Sequence, residues 1–216
     1  GDIIIENIDA GSKNVGIYSN SGNVYTSSQS TINIISENLR MESEGHIGTI
    51  TKHLNTLTDS VAVKSSGNIF ITDQSALSIE SIDPIEVQRV QMYESRLAVT
   101  DDTQLSGITS SKADANIVIQ TLSDDLVVNN LVLSIGEGTI HLIAESGDIV
   151  LNDNVHADSG QLTITAKESI IQNANLINKG DIALVAEDGS ISVRFIESLG
   201  NVTLIATSGD IIDTDD

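Results

Sequence analysis

Gly138 to Leu151 reads GTIHLIAESGDIVL, and the same phrase returns three times: Gly160 to Ile171 as GQLTITAKESII, Gly180 to Val193 as GDIALVAEDGSISV, and Gly200 to Ile212 as GNVTLIATSGDII. The leading glycines stand 22, 20 and 20 residues apart. Gly147, Gly189 and Gly209 each follow nine residues later, with Ser169 at that place in the remaining unit. Within a unit the apolar residues alternate, as Ile140, Leu142 and Ala144 and then Ile149 and Leu151. A period of two is that of a β-strand with one face buried. One such unit cannot cover its own apolar face, so units of this length must stack on one another.

Upstream the phrase weakens. Ala115 to Val128, ANIVIQTLSDDLVV, places Ala115 at the first glycine and Asp124 at the second. Ser95 to Thr100, SRLAVT, fits one unit earlier. Val15 to Tyr25 (VGIYSNSGNVY) and Ser60 to Ile71 (SVAVKSSGNIFI) read as further copies, with Gly22 and Gly67 at the second-glycine position and Gly1 to Ile5 (GDIII) before them. These copies predict an all-β chain, a right-handed parallel β-helix of roughly ten coils of about 20–23 residues. The whole of 1–216 reads as a single β-solenoid segment, most regular over 115–216. The glycines Gly22, Gly67, Gly138, Gly147, Gly160, Gly180, Gly189, Gly200 and Gly209 are expected at corners, where φ > 0 favours glycine and then Asn and Asp. A leucine-rich repeat would need a 3.6-residue return that is absent. A β-sandwich has no reason to repeat one fourteen-residue pattern four times.

Composition agrees. Apolar residues make up 39% of the chain but aromatic ones only 2%, so a narrow interior of stacked Ile, Val, Leu and Ala is expected. No cysteine is present, so packing and hydrogen bonds alone hold the fold. With 31 acidic and 10 basic residues the net charge is −21. That excludes nucleic acid as a partner, since phosphate binding needs clustered Lys and Arg. No run approaches the ~18 apolar residues of a membrane helix, so no membrane insertion is expected.

The phrases GNVTLIATSGDII, GDIALVAEDGSISV and GTIHLIAESGDIVL resemble the repeats of filamentous-haemagglutinin-type exoproteins, which are very large, two-partner-secretion-like bacterial surface proteins. The resemblance extends over Ala115 to Asp216 and, less closely, over Gly1 to Tyr25 and Ser60 to Ile71. It implies a right-handed parallel β-helix, export to a secreted or cell-surface location, and a role in adhesion or biofilm.

No catalytic constellation stands out, and the chain is read as not an enzyme. The acidic pairs Asp101-Asp102 and Asp124-Asp125 and the tail Asp213, Asp215 and Asp216 lack the calcium-binding G-G-x-G-x-D repeat, so no cofactor is expected beyond weak surface Ca²⁺. His46, His53, His141 and His156 show no metal-ligand spacing and are expected to be exposed and solvated. Gly11 to Lys13, GSK, is not a phosphate loop. A β-helical lyase or hydrolase would need basic residues or paired carboxylates in a cleft, yet only Lys167, Lys179 and Arg194 follow Lys112. One stretch is irregular, Ile79 to Glu94 (IESIDPIEVQRVQMYE), and it holds the lone Pro84 with Met92 and Tyr93. Insertions in solenoids gather on one face, which makes these three residues the candidates for a lateral contact. The expected function is a structural or adhesive repeat segment, a fibre, stalk or adhesin shaft. Its partners would be neighbouring repeats, other copies joined end to end or laterally, and host or matrix glycans. The alternative is a polysaccharide-binding or polysaccharide-degrading module.

Overall fold

Ile3, Val24, Ile47, Ile69, Ile117, Ile140, Leu162, Ile182 and Val202 stand one above another in parallel register, one per coil. These nine levels come from a computed structural model. It describes the chain apart from residues 28–31, 86, 91–94, 99–102 and 215–216, and gives the backbone alone over 87–90 and 95–98. The described residues form strands and bends without a helix. At the ~4.8 Å spacing of paired strands, nine levels span roughly 40 Å.

Each coil has three faces. Face A is the column just named, carried in the regular coils by strands such as Ile117–Thr121 and Ile140–Ala144. Face B stacks Leu77, Leu126, Ile149, Ile170, Ile191 and Ile211. Face C stacks Ile17, Met41, Val63, Ile108, Val132 and Val155. In the second and third coils the strands Ile34–Ser43 and Leu54–Ser65 run from the end of face A through face B into face C without a break. Alternate residues point inward, and Ile, Leu, Val and Ala fill one continuous core along the axis. The periodicity of two thus produces what the sequence predicts: an all-β parallel solenoid, of about nine coils.

Three readings need correction. Ser95–Ala98 is not a coil but pairs antiparallel with Val87–Val90. The excursion is also larger than Ile79 to Glu94 and begins later. Leu77–Ile79 is an ordinary face-B strand paired with Leu126–Val128. The chain leaves the coil at Ser81–Ile82 and returns through Leu105–Ser106, which lies antiparallel to it. Ile108 then resumes face C beside Val63. A full hairpin is thus threaded into the fourth coil, and Asn68 meets Asn116 across 48 residues of sequence.

The glycines are the third correction. Gly22 and Gly67 precede Asn23-Val24 and Asn68-Ile69, which places them in the same column as Gly138, Gly160, Gly180 and Gly200 rather than that of Gly147. None of the nine corner glycines has a positive φ. That conformation falls instead on Gly11, Gly48, Gly107, Gly136, Asp114, Asp124 and Asp158. What the column glycines provide is closeness between coils. A β-carbon on Gly160 would lie 2.8 Å from the Glu137 carbonyl oxygen, and one on Gly180 would lie 2.6 Å from that of Ser159. Ser169 also shifts by one place. It stands over Asp148, with Glu168 beside Gly147, because that bend is one residue shorter.

Candidate binding groove

Side-chain ladders tie the coils together at their corners. At the corner that leads into face A, a side chain in most coils accepts the backbone N–H of the equivalent residue one coil on. Asp2 Oδ1 accepts from Asn23 at 2.8 Å, Asn23 Oδ1 from His46 at 2.8 Å, and His46 Nδ1 from Asn68 at 2.9 Å. Asn68 Oδ1 accepts from Asn116 at 2.7 Å and Asn116 Oδ1 from Thr139 at 2.9 Å. The A–B corner repeats the device, with Asp125 Oδ1 accepting from Asp148 and Asp148 Oδ1 from Ser169. On face B, Asn152 Nδ2 donates to Asn129 and Asn173 Nδ2 to Asn152. Each bond satisfies an N–H, or a side-chain amide, that a β-corner would otherwise leave unpaired.

The first of these ladders borders a groove on face A. In the third coil the chain makes an extra bend after Gly48, where Thr49 pairs antiparallel with Lys52. This small hairpin projects from face A, with Ile50 at its tip 77% exposed. Against it lies an open groove of about 530 Å³, lined on one side by Asn23, His46, Asn68 and Asn116 and on its floor by Tyr25, Gly48 and Phe70. Tyr25, Gly48 and Phe70 each follow the face-A residues Val24, Ile47 and Ile69 and occupy one outward column on successive coils. Gly48 has φ +67°, and a β-carbon there would strike the Phe70 carbonyl. It leaves a gap between two aromatic side chains.

The hairpin's other flank bounds a second hollow of about 380 Å³, with Lys52, His53, Asn55 and Thr72 among its walls. His53 stacks on Phe70 with centroids 5.6 Å apart and bonds Thr72 Oγ1 through Nδ1 at 2.7 Å. Burial holds its pKa below the usual histidine value.

All four histidines are half-buried and bonded rather than free in solvent. His46 belongs to the ladder and His53 packs on Phe70. His141 projects outward between Ile140 and Leu142, lies 3.4 Å from Thr165 Oγ1, and is also lowered in pKa by burial. His156 bonds the Ile177 carbonyl through Nδ1 at 2.6 Å. They sit in ladders and outward columns whose neighbours supply partners, and single-sequence spacing does not reveal that.

The acidic pair Asp124-Asp125 lies at the A–B corner, where Asp124 has φ +60° and Asp125 serves the ladder. Asp213 pairs with Val193 in the last face-B strand. Asp101, Asp102, Asp215, Asp216, Met92 and Tyr93 lie outside the described residues. Among the described residues no three His, Asp or Glu side chains gather as a metal site would require. Pro84 is half-buried in the neck of the excursion. That neck is strapped to the shaft by Arg40, whose guanidinium donates to the carbonyls of Ile82 (3.4 Å) and Thr103 (2.7 Å) and to Glu42 (2.7 Å). Ala62, Ile82 and Leu105 form a small separate core beneath it.

The groove residues went unmarked in the sequence, yet a signal for them exists. SGNVY at Ser21, EGHIG at Glu44 and SGNIF at Ser66 are three forms of one phrase, in which His46 replaces Asn and Gly48 replaces the aromatic residue.

Parallel register, nine stacked levels and ladders at the corners define a β-solenoid of the parallel β-helix class. Comparison with protein-family models, with curated proteins and with solved structures finds no match to this chain.

Proposed function

We propose that this chain is a shaft segment of a large secreted or cell-surface bacterial protein, structural and adhesive in role rather than enzymatic. The observation that carries the reading is how much of the polar chemistry goes into holding coil on coil. Asp2, Asn23, His46, Asn68, Asn116, Asp125 and Asp148 all spend a side-chain acceptor on the next coil's backbone. Such ladders fix register along an axis and make each coil a similar, replaceable unit. Asp2 is the one carboxylate among the described residues lining the main groove, whereas hydrolysis of a glycosidic bond uses two facing carboxylates. The repeats' resemblance to filamentous-haemagglutinin-type exoproteins supports export and a surface location.

Excising one complete coil, residues 160–179, tests the reading. The shortened chain should fold with the same strand signature, and small-angle scattering should show a rod shorter by about 5 Å. A chain that loses its fold, or that cleaves a polysaccharide before excision and not after, would overturn it.

A further inference from the structure

We propose that the groove beside Gly48 binds a neutral oligosaccharide. The inference goes beyond the shaft reading and does not depend on it.

The ladder gives the groove its chemistry. Asn68 and Asn116 accept through Oδ1, and their Nδ2 groups have no hydrogen-bond partner among the described residues. His46 accepts through Nδ1, which leaves the proton on Nε2. Three consecutive levels therefore line the groove with N–H donors whose other atoms are locked to the backbone. Donors fixed in this way lose little freedom on binding. Their spacing is that of the coils, roughly 4.8 Å.

Opposite the donors the surface is apolar. Gly48 opens the gap between Tyr25 and Phe70, and Ile50 walls it from the hairpin. Phe70 is almost wholly covered, so Tyr25 and Ile50 supply most of the available apolar contact. A ligand for this site must present hydrogen-bond acceptors on one edge and an apolar face on the other.

Charge narrows the class. Among the described residues the lining contains no Lys or Arg and one carboxylate, Asp2, on a protein of net charge −21. An anionic chain such as a uronate polymer would be repelled, with no cation to offset it. A pyranose ring meets all three demands, with hydroxyl acceptors around its rim, C–H groups on its face and no charge.

The test is titration calorimetry of the whole chain against neutral oligosaccharides of glucose, galactose, mannose and N-acetylglucosamine, with polygalacturonate as the anionic comparison. At least one neutral series should bind saturably. Tyr25→Ala and Ile50→Ala should each weaken it about tenfold, as loss of one aromatic or apolar contact implies. Tyr18→Ala, 62% exposed on face C, should leave binding unchanged. Ile50 projects into solvent, so its variant keeps the test valid even if Tyr25→Ala fails to fold. Silence across the neutral panel, preference for polygalacturonate, or equal binding by Ile50→Ala would each overturn the proposal. Coil excision at 160–179 lies outside the groove, so the shaft reading stands or falls separately.

Discussion

The Ser65 hydroxyl donates to the Gly45 carbonyl oxygen of the coil before it, at 2.6 Å, and at the same time accepts the Gly67 N–H at 2.9 Å. The relationship is repeated up the axis. Ser43 serves Gly22, Ser110 serves Gly67 and Ser198 serves Gly180, at 2.7–2.9 Å. Ser19, Ser43, Ser65, Ser110 and Ser134 stand in one column, and Asn178 takes the same role for Gly160 at 2.8 Å. These hydroxyls lie where face C turns into face A, facing inward. They let the column glycines sit against the preceding coil without leaving their carbonyls bare.

Removing one of these hydroxyls should therefore cost more than a surface serine would. Ser65→Ala leaves the Gly45 carbonyl and the Gly67 N–H unpaired in a buried setting, worth about 1–3 kcal/mol. Urea unfolding should show that loss, and Ser123→Ala, an exposed serine bonded only to the Gln74 carbonyl, should show less than about half of it. Equal effects would mean that the interior column contributes nothing particular.

Glycine at the column is required by space rather than by φ. Gly160→Ala drives a β-carbon against the Gly138 carbonyl and to within 2.8 Å of Glu137 O, both of them backbone. Neither can give way without parting two coils. A destabilisation of about 3 kcal/mol is expected in chemical denaturation, near the upper end for overpacking. Gly1→Ala meets nothing within 4 Å and should be silent.

How far the sequence revealed this follows from the same two residue types. The regular coils were legible because Ile140, Leu162, Ile182 and Val202 alternate with outward residues and restart at nearly equal intervals. Register in the first half was not, because two corners use one chemistry. Gly67-Asn68 begins face A and Gly147-Asp148 begins face B, yet each pairs a close-approach glycine with a side chain that accepts the next coil's N–H. The tetrapeptides SGNI and SGDI therefore look alike while lying on different corners. The hairpin at Val87–Val90 and Ser95–Ala98 misled for another reason, since SRLA alternates like any strand and its pairing is antiparallel only in three dimensions. The groove was least legible, because its polar side depends on which atom of Asn68 is already occupied.

Arg40 decides whether the excursion stays docked. Arg40 is 7% exposed, and its guanidinium bridges both limbs of the neck, Ile82 and Thr103, while its charge meets Glu42. Arg40→Ala should cost about 2–4 kcal/mol, since it also leaves Glu42 unpaired. Arg40→Lys, which cannot span two carbonyls and a carboxylate from one planar group, should recover only part. Hydrogen exchange at Gly107, whose N–H donates to Glu80 O, should accelerate in both variants while exchange at Ile164 on face A does not. Uniform acceleration would show that Arg40 holds the shaft rather than the neck.

Asp73 gives the shaft a pH dependence of unusual sign for a carboxylate. It sits in the face-A column that elsewhere carries Thr121, Ala144, Ala166 and Ala186, fully buried. Burial pushes its pKa up to about 6, against the downward pull of hydrogen bonds from Thr56 Oγ1, the Ser75 and Thr58 N–H groups and Ser75 Oγ. The folded protein thus holds a proton that the unfolded chain, near its ordinary value of about 3.9, has already released. This contribution is complete below that ordinary value and is lost as pH rises through about 6. Other carboxylates titrate in the same range, so the informative quantity is the difference from Asp73→Asn. The cost of that substitution should shrink by about 2 kcal/mol as urea unfolding is moved from about pH 4 to about pH 8. A cost that stays flat across the range, or grows with pH, would mean the four hydrogen bonds outweigh burial and hold Asp73 as a carboxylate throughout.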